Sequence, residues 1–174
     1  MSVVEDGGWW REDDGEDTPP LPLPLPPPPE PEPEPEPEPD PCWNCGAKEA
    51  PRDRRCTVCG SPRAHVVLLC ADPCLELRHA AGRPLNLGRS SSWAPGTATA
   101  FADRKMVSKR HASVTVEPDG SAWVEEPPEG SRNHTFVNED ELKPGVRTPL
   151  RDGDLLRLGK AVVRFTVRVY GPES

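Results

Sequence analysis

The stretch ASVTVEPDGSAWVEE, residues 112–126, decides the fold class. Val114 and Val116 alternate with polar neighbours, as do Ala122 and Val124, which is the period of a strand with one buried face. Between the two runs, Pro118-Asp119-Gly120 combines a fixed φ, a side chain that bonds its own backbone, and a residue free to take positive φ. The segment therefore reads as an antiparallel hairpin.

Further short apolar segments separated by turn residues flank it. They are VVLLC (66–70), LELRH (75–79), PLNLG (84–88), ATAF (98–101), TFVN (135–138), LLRL (155–158) and AVVRFTVRVY (161–170). No window carries a long helical stripe. Many short strands at this spacing imply an all-β sandwich over residues 64–172.

The N-terminal part has a different character. Residues 1–41 hold 14 of the 25 prolines and 13 acidic residues against a single Arg11, a net charge of −12, whereas the remainder is mildly basic. The segment runs through PPLPLPLPPPP (19–29) into PEPEPEPEPEPDP (29–41). Such a sequence buries too little apolar surface to offset the ordering of its backbone, and its prolines favour extended polyproline II. We expect a disordered acidic spacer that, at ~3.1 Å per residue, reaches roughly 70 Å between Thr18 and Cys42. Trp9-Trp10 reads either as a docking motif or as a solvated terminus. No apolar run approaches the roughly 20 residues needed to span a bilayer, and the N-terminus lacks a basic start followed by an apolar stretch. The expectation is a cytoplasmic protein without a membrane segment.

Four of the six cysteines form two C-x-x-C units, Cys42/Cys45 and Cys56/Cys59, each followed by a glycine, Gly46 and Gly60. Two residues between thiolates let a tight turn aim both sulfurs at one ion, so two such turns supply a tetrahedral S4 shell. We expect a structural zinc ribbon over residues 42–63. A redox C-x-x-C would sit in a βαβ context that is absent here. With all four positions filled by protein, the metal has no open site for catalysis. Lys48, Arg52, Arg54 and Arg55 lie between the knuckles and would offset the charge of the thiolates. Cys70 and Cys74 read as buried thiols.

Three loop motifs occur in order within the β-rich half: Gly88-Arg89-Ser90, then Ser108-Lys109-Arg110-His111, then Ser131-Arg132-Asn133-His134-Thr135-Phe136-Val137-Asn138. With the late LRDGDLLRLG (150–159), this order resembles the forkhead-associated (FHA) domain family. The resemblance covers about residues 64–172 and implies an FHA-like β-sandwich that captures phosphothreonine peptides with loops at one end. It departs from the family pattern at His134, where a glycine is usual, and at Glu139. If residue 134 takes a left-handed backbone, its side chain costs ~1–2 kcal/mol.

A phosphothreonine carries close to two negative charges and three acceptor oxygens, so its site needs a fixed cation and directional donors. Arg89 offers a planar donor fork, Ser108 a hydroxyl, and Lys109 and Arg132 further cations or backbone donors. The resemblance implies that Asn133 grips the peptide main chain, and that Gly88, His111, Thr135 and Asn138 shape the loops. Ser108 and His111 lack the nucleophile elbow and oxyanion site of a hydrolase, so no enzyme is expected.

The expected function is a phosphothreonine-reading adaptor in Ser/Thr kinase signalling, whose partner is a kinase or its substrate. Phosphorylated Thr18, in GEDTPPLP, is a candidate for self-binding. The alternative is a nucleic-acid-associated regulator using the ribbon's basic loop, with the sandwich as a recruitment or structural module. Three close arginines without a basic-aromatic series argue against that alternative.

Overall fold

The structure, a computed structural model, describes residues 40–48, 54–160 and 163–172. The expected acidic tail with Trp9, Trp10 and Thr18 lies outside the described residues, as does Arg52 of the basic loop.

Ten strands follow in order: β1 (His65–Cys70), β2 (Leu75–Ala80), β3 (Leu85–Leu87), β4 (Ala112–Val116), β5 (Ala122–Glu125), β6 (Thr135–Val137), β7 (Asp140–Glu141), β8 (Thr148–Leu150), β9 (Leu155–Leu158) and β10 (Val163–Tyr170). They form two antiparallel sheets, ordered β2-β1-β10-β9-β6-β7 and β3-β4-β5-β8. There is no helix among the described residues.

The hairpin that decided the fold class is β4-β5. Val114 pairs with Val124 and Val116 with Ala122, so the alternating apolar residues share the inward face. Asp119 closes the turn by accepting the Ser121 N–H at 2.9 Å. Across the core, β1 and β10 contribute Val66, Leu68, Phe165 and Val167, all fully buried, by the same period-two logic.

The ATAF segment is not a strand. Residues 97–103 form successive turns, with Ala98 N–H donating to Ala94 O and Phe101 N–H to Thr97 O. The cause is a contact across the loop: Thr97 Oγ1 donates to Gly88 O at 2.9 Å and accepts from Gly88 N at 3.0 Å, pinning the loop against the end of β3. Phe101 then plugs the core, edge-on to Phe165 with centroids 6.1 Å apart. Full burial of such a ring is worth about 1.5–3 kcal/mol. Strands β7 and β8 were not anticipated. Both are two or three residues long, and Pro149 in β8 is tolerated because β8 is an edge strand.

Candidate functional site

The three sequence motifs meet at one end of the sandwich. Past β3, Arg89 N–H donates to Ser108 O (3.1 Å) and Ser90 N–H to Lys109 O (3.0 Å), so the first two motifs run side by side. Gly88 makes this approach possible, because a Cβ there would collide with the Lys109 carbonyl oxygen. Arg89 Nε donates to Val107 O at 2.5 Å, which fixes its guanidinium against the carbonyl of the residue before Ser108.

The third motif joins through its backbone and its amide. Arg132 N–H donates to Ser108 Oγ (3.1 Å), and Asn133 Nδ2 donates to Met106 O (2.7 Å). Since Ser108 Oγ already accepts from Arg132, its own hydroxyl proton is left to donate outward. Arg89, Ser108 and Asn133 are half-buried, whereas Lys109 and Arg132 are exposed.

His111 is fully buried beneath this surface. Its Nδ1 accepts the Ser108 N–H at 2.9 Å, so the ring proton sits on Nε2 and is donated to His134 O at 3.0 Å. Burial holds the ring below its ordinary pKa, outweighing the His134 carbonyl and the Glu126 carboxylate, which favour the charged form. A neutral imidazole thus ties the Ser108 loop to the Asn133 loop.

His134 adopts φ +60° and Asn138 φ +57°, so both side chains sit on left-handed backbone. His134 O also receives the Gly159 N–H at 2.8 Å, and its imidazole lies 3.3 Å from Glu141. Asn138 clamps the β9 hairpin: Leu155 N–H donates to its Oδ1 (3.0 Å) and its Nδ2 donates to Asp154 (3.1 Å).

Sequence reasoning missed Glu126. This carboxylate is fully buried, and its Oε1 accepts hydroxyl donors from Ser131 (2.5 Å) and Thr135 (2.8 Å), anchoring both ends of the loop that carries Arg132 and Asn133. The signal was present in the strand period, since Ala122, Val124 and Glu126 share the inward face.

Residues 85–159, which span this constellation, match the family model for the FHA domain. The chain carries an FHA domain. FHA domains are binding modules. A 60-residue segment is 42% identical to Protein FraH of Nostoc sp., covering 34% of this chain and 20% of that protein, so the match spans about a fifth of the relative's length. The FHA domain of a Chlamydia trachomatis protein has the same fold, with 18% identity and a TM-score of 0.52 over 62% of this chain and 99% of that one. Also similar is the N-terminal FHA domain of Saccharomyces cerevisiae Rad53p, solved with a phosphothreonine peptide: 14% identity, TM-score 0.48, 60% of this chain and 93% of that one.

Ahead of the FHA domain, Cys42, Cys45, Cys56 and Cys59 bring their four sulfurs within 4.8 Å of one another, an arrangement that could hold a metal ion. The two knuckles are built alike: Gly46 N–H donates to Cys42 O and Gly60 N–H to Cys56 O, with both glycines near φ +73°. The Ser61 hydroxyl and N–H, with the Asn44 amide, hold the Cys59 thiol down to about 5. Although Ala47 N–H favours its thiolate, desolvation and the neighbouring thiols push Cys45 up to about 12. Four sulfurs this close cannot all ionise without a cation among them, so the donor set fits a metal. Arg55 donates to Gly60 O at 3.0 Å. Cys70 is buried as expected, but Cys74 is exposed, because it closes the turn before β2 rather than pointing into the core. No helix among the described residues is long and apolar enough to cross a membrane.

Proposed function

We propose that this chain is an adaptor that captures phosphothreonine peptides through Arg89, Ser108, Lys109, Arg132 and Asn133, with a Ser/Thr kinase supplying the mark. The observation that carries the reading is the meeting of Arg89 and Ser108, 19 residues apart in sequence, on adjacent hydrogen-bonded segments. Among the described residues, the two terminal nitrogens of Arg89 take no partner, so their four N–H donors remain for phosphate oxygens beside the Ser108 hydroxyl. Charge-assisted bonds of ~1.5–3 kcal/mol each give selective but reversible capture. Asn133 keeps its carbonyl oxygen and one N–H for the peptide main chain. Gly88, His111, Thr135 and Asn138 shape the loops without touching the ligand.

In the same reading, residues 42–63 are a zinc ribbon and residues 64–172 the FHA sandwich. The sulfur pairs Cys42/Cys59 and Cys45/Cys56 lie 3.8 and 3.7 Å apart. Bonds of ~2.3 Å in a tetrahedral zinc shell place sulfurs ~3.8 Å apart. Bound zinc would crosslink the two knuckles and supply no chemistry.

The test is calorimetric titration of the full chain with matched phosphorylated and unmodified threonine peptides from a degenerate library selection. Binding restricted to the phosphorylated member supports the reading, and equal affinity for both overturns it.

A further inference from the structure

The loops at one end of the sandwich leave a second surface unexplained. β10 begins at Val163, paired with Leu158 beside the FHA loops, and ends at Tyr170, ~23 Å further along the strand. At that far end, the outer face of the six-stranded sheet and the first Cys knuckle enclose a groove of about 610 Å³. Its floor is an aromatic ladder. Trp43 stacks on His65 at 5.2 Å and His65 on Tyr170 at 4.5 Å, with the last two rings parallel within 2°. Tyr170 and Leu69 are each 38% exposed, an apolar strip on a face that otherwise carries charge.

The strand register places the charge. Val67 pairs with Arg78 on one side and Arg168 on the other, so two guanidinium groups flank the strip in one row. Their partners, Glu76 at 2.6 Å and Asp152 at 3.5 Å, are roughly half-exposed surface pairs that screening weakens. Arg63, almost wholly buried beneath the groove, donates to Asp40 O at 3.1 Å, and Asp40 and Glu76 are the acids of the lining.

Parallel rings beside cations suit an extended proline-rich ligand that also bears carboxylates, since polyproline II segments dock on aromatic grooves at low entropic cost. The chain itself encodes that chemistry in PEPEPEPEPEP, residues 29–39. Polyproline II has three residues per turn, so residues on one face recur every ~9 Å. In a strict Pro-Glu alternation, each face therefore presents proline and glutamate in turn. Whichever face meets the groove offers a ring for Tyr170 and a carboxylate for Arg78 or Arg168, in several equivalent registers. Asp40 and Pro41, next in sequence after the tract, already line the groove, and the tract's sequence holds no glycine, the residue that tight reversals favour, so a second copy's tract is the better-suited occupant.

We propose that this groove takes the Pro-Glu tract of a second copy of the chain, giving a reciprocal dimer that leaves the FHA loops open. Sedimentation velocity of the full chain across the micromolar range is expected to shift from monomer to dimer mass, more so at low salt. Arg78→Glu combined with Arg168→Glu abolishes the shift, as does replacing the five tract glutamates by lysine. Mixing these two variants restores a dimer, because the lysine tract now meets an acidic groove. Monomer mass at every concentration overturns the proposal, whether the groove is filled by the chain's own tract or by another protein. A dimer indifferent to charge reversal, or no recovery on mixing, also overturns it. Phosphopeptide titration of each variant is a separate readout, so failure here is distinguishable from failure of the FHA site.

Discussion

His111 accepts the Ser108 N–H at Nδ1, 2.9 Å away, and this bond fixes the opposite nitrogen as the donor to His134 O. Two loops distant in sequence are therefore held in register by one neutral side chain. Protonation at Nδ1 would turn an acceptor into a donor facing another donor. The geometry of the candidate site is thus linked to the protonation of a buried ring.

Stability should fall as pH drops below neutrality. Burial holds both His111 and His65 below their ordinary value. Between the lowered native value and the unfolded value of about 6.5, the unfolded chain binds more protons, so stability rises with pH across that window and is complete above it. Asp119, held low by the Ser121 hydroxyl and N–H, acts with the same sign but only near the carboxylate range. Urea midpoints measured from about pH 7.5 to 5 should decline. His65→Phe, which keeps the stack on Tyr170 but cannot titrate, should flatten the slope. A midpoint unchanged by pH would refute the linkage.

Arg89→Ala should lower affinity for a phosphothreonine peptide by ~2–5 kcal/mol, as for removal of one member of a desolvated charge pair. Arg89→Lys should recover little, since an ammonium lacks both the planar fork and the Nε that donates to Val107 O. Calorimetry checks both, with circular dichroism confirming the fold. Retention of full affinity by the alanine variant would remove Arg89 from the site.

What could be read from the sequence, and what could not, follows from the range of the forces involved. The β4-β5 hairpin was legible because alternation and turn chemistry act within 15 residues, and the Cys knuckles because ligand spacing is local. Residues 98–101 misled for the opposite reason: their conformation is set by Thr97 bonding to Gly88 across the loop, a contact invisible to periodicity. Strands β7 and β8 carry too few residues to show any period. Glu126 was overlooked although its parity was correct, because an inward carboxylate makes sense only once Ser131 and Thr135 arrive as donors. The surface around Tyr170 needed the β1-β10 register before its rings and cations could be placed together.

His134→Gly should stabilise the protein by up to ~1 kcal/mol. His134 holds φ +60°, where a side chain costs ~1–2 kcal/mol, while glycine adds unfolded-state entropy that cancels part of the gain. The exposed pair with Glu141 contributes little against this. His134→Val should destabilise, because a β-branched residue tolerates this backbone poorly. Thermal melting of the two variants should move in opposite directions. Movement of both in the same direction would mean that the imidazole, not the backbone, governs this turn.

Thiol reactivity should separate the six cysteines into three classes. In the zinc-loaded chain the four knuckle sulfurs are ligated, Cys74 is exposed, and Cys70 is buried with its thiol pushed up by desolvation. One thiol should therefore react rapidly, and one only as the sandwich opens. A chelator should release one equivalent of zinc and expose four more thiols. Because Trp43 bonds Pro62 O at 2.8 Å and stacks on His65, its fluorescence should change in step with that release. The FHA sandwich itself should remain folded, since its core draws on none of the four ligands. Knuckle thiols that react to the same extent with and without chelator in freshly purified, reduced protein would show that the cluster holds no metal.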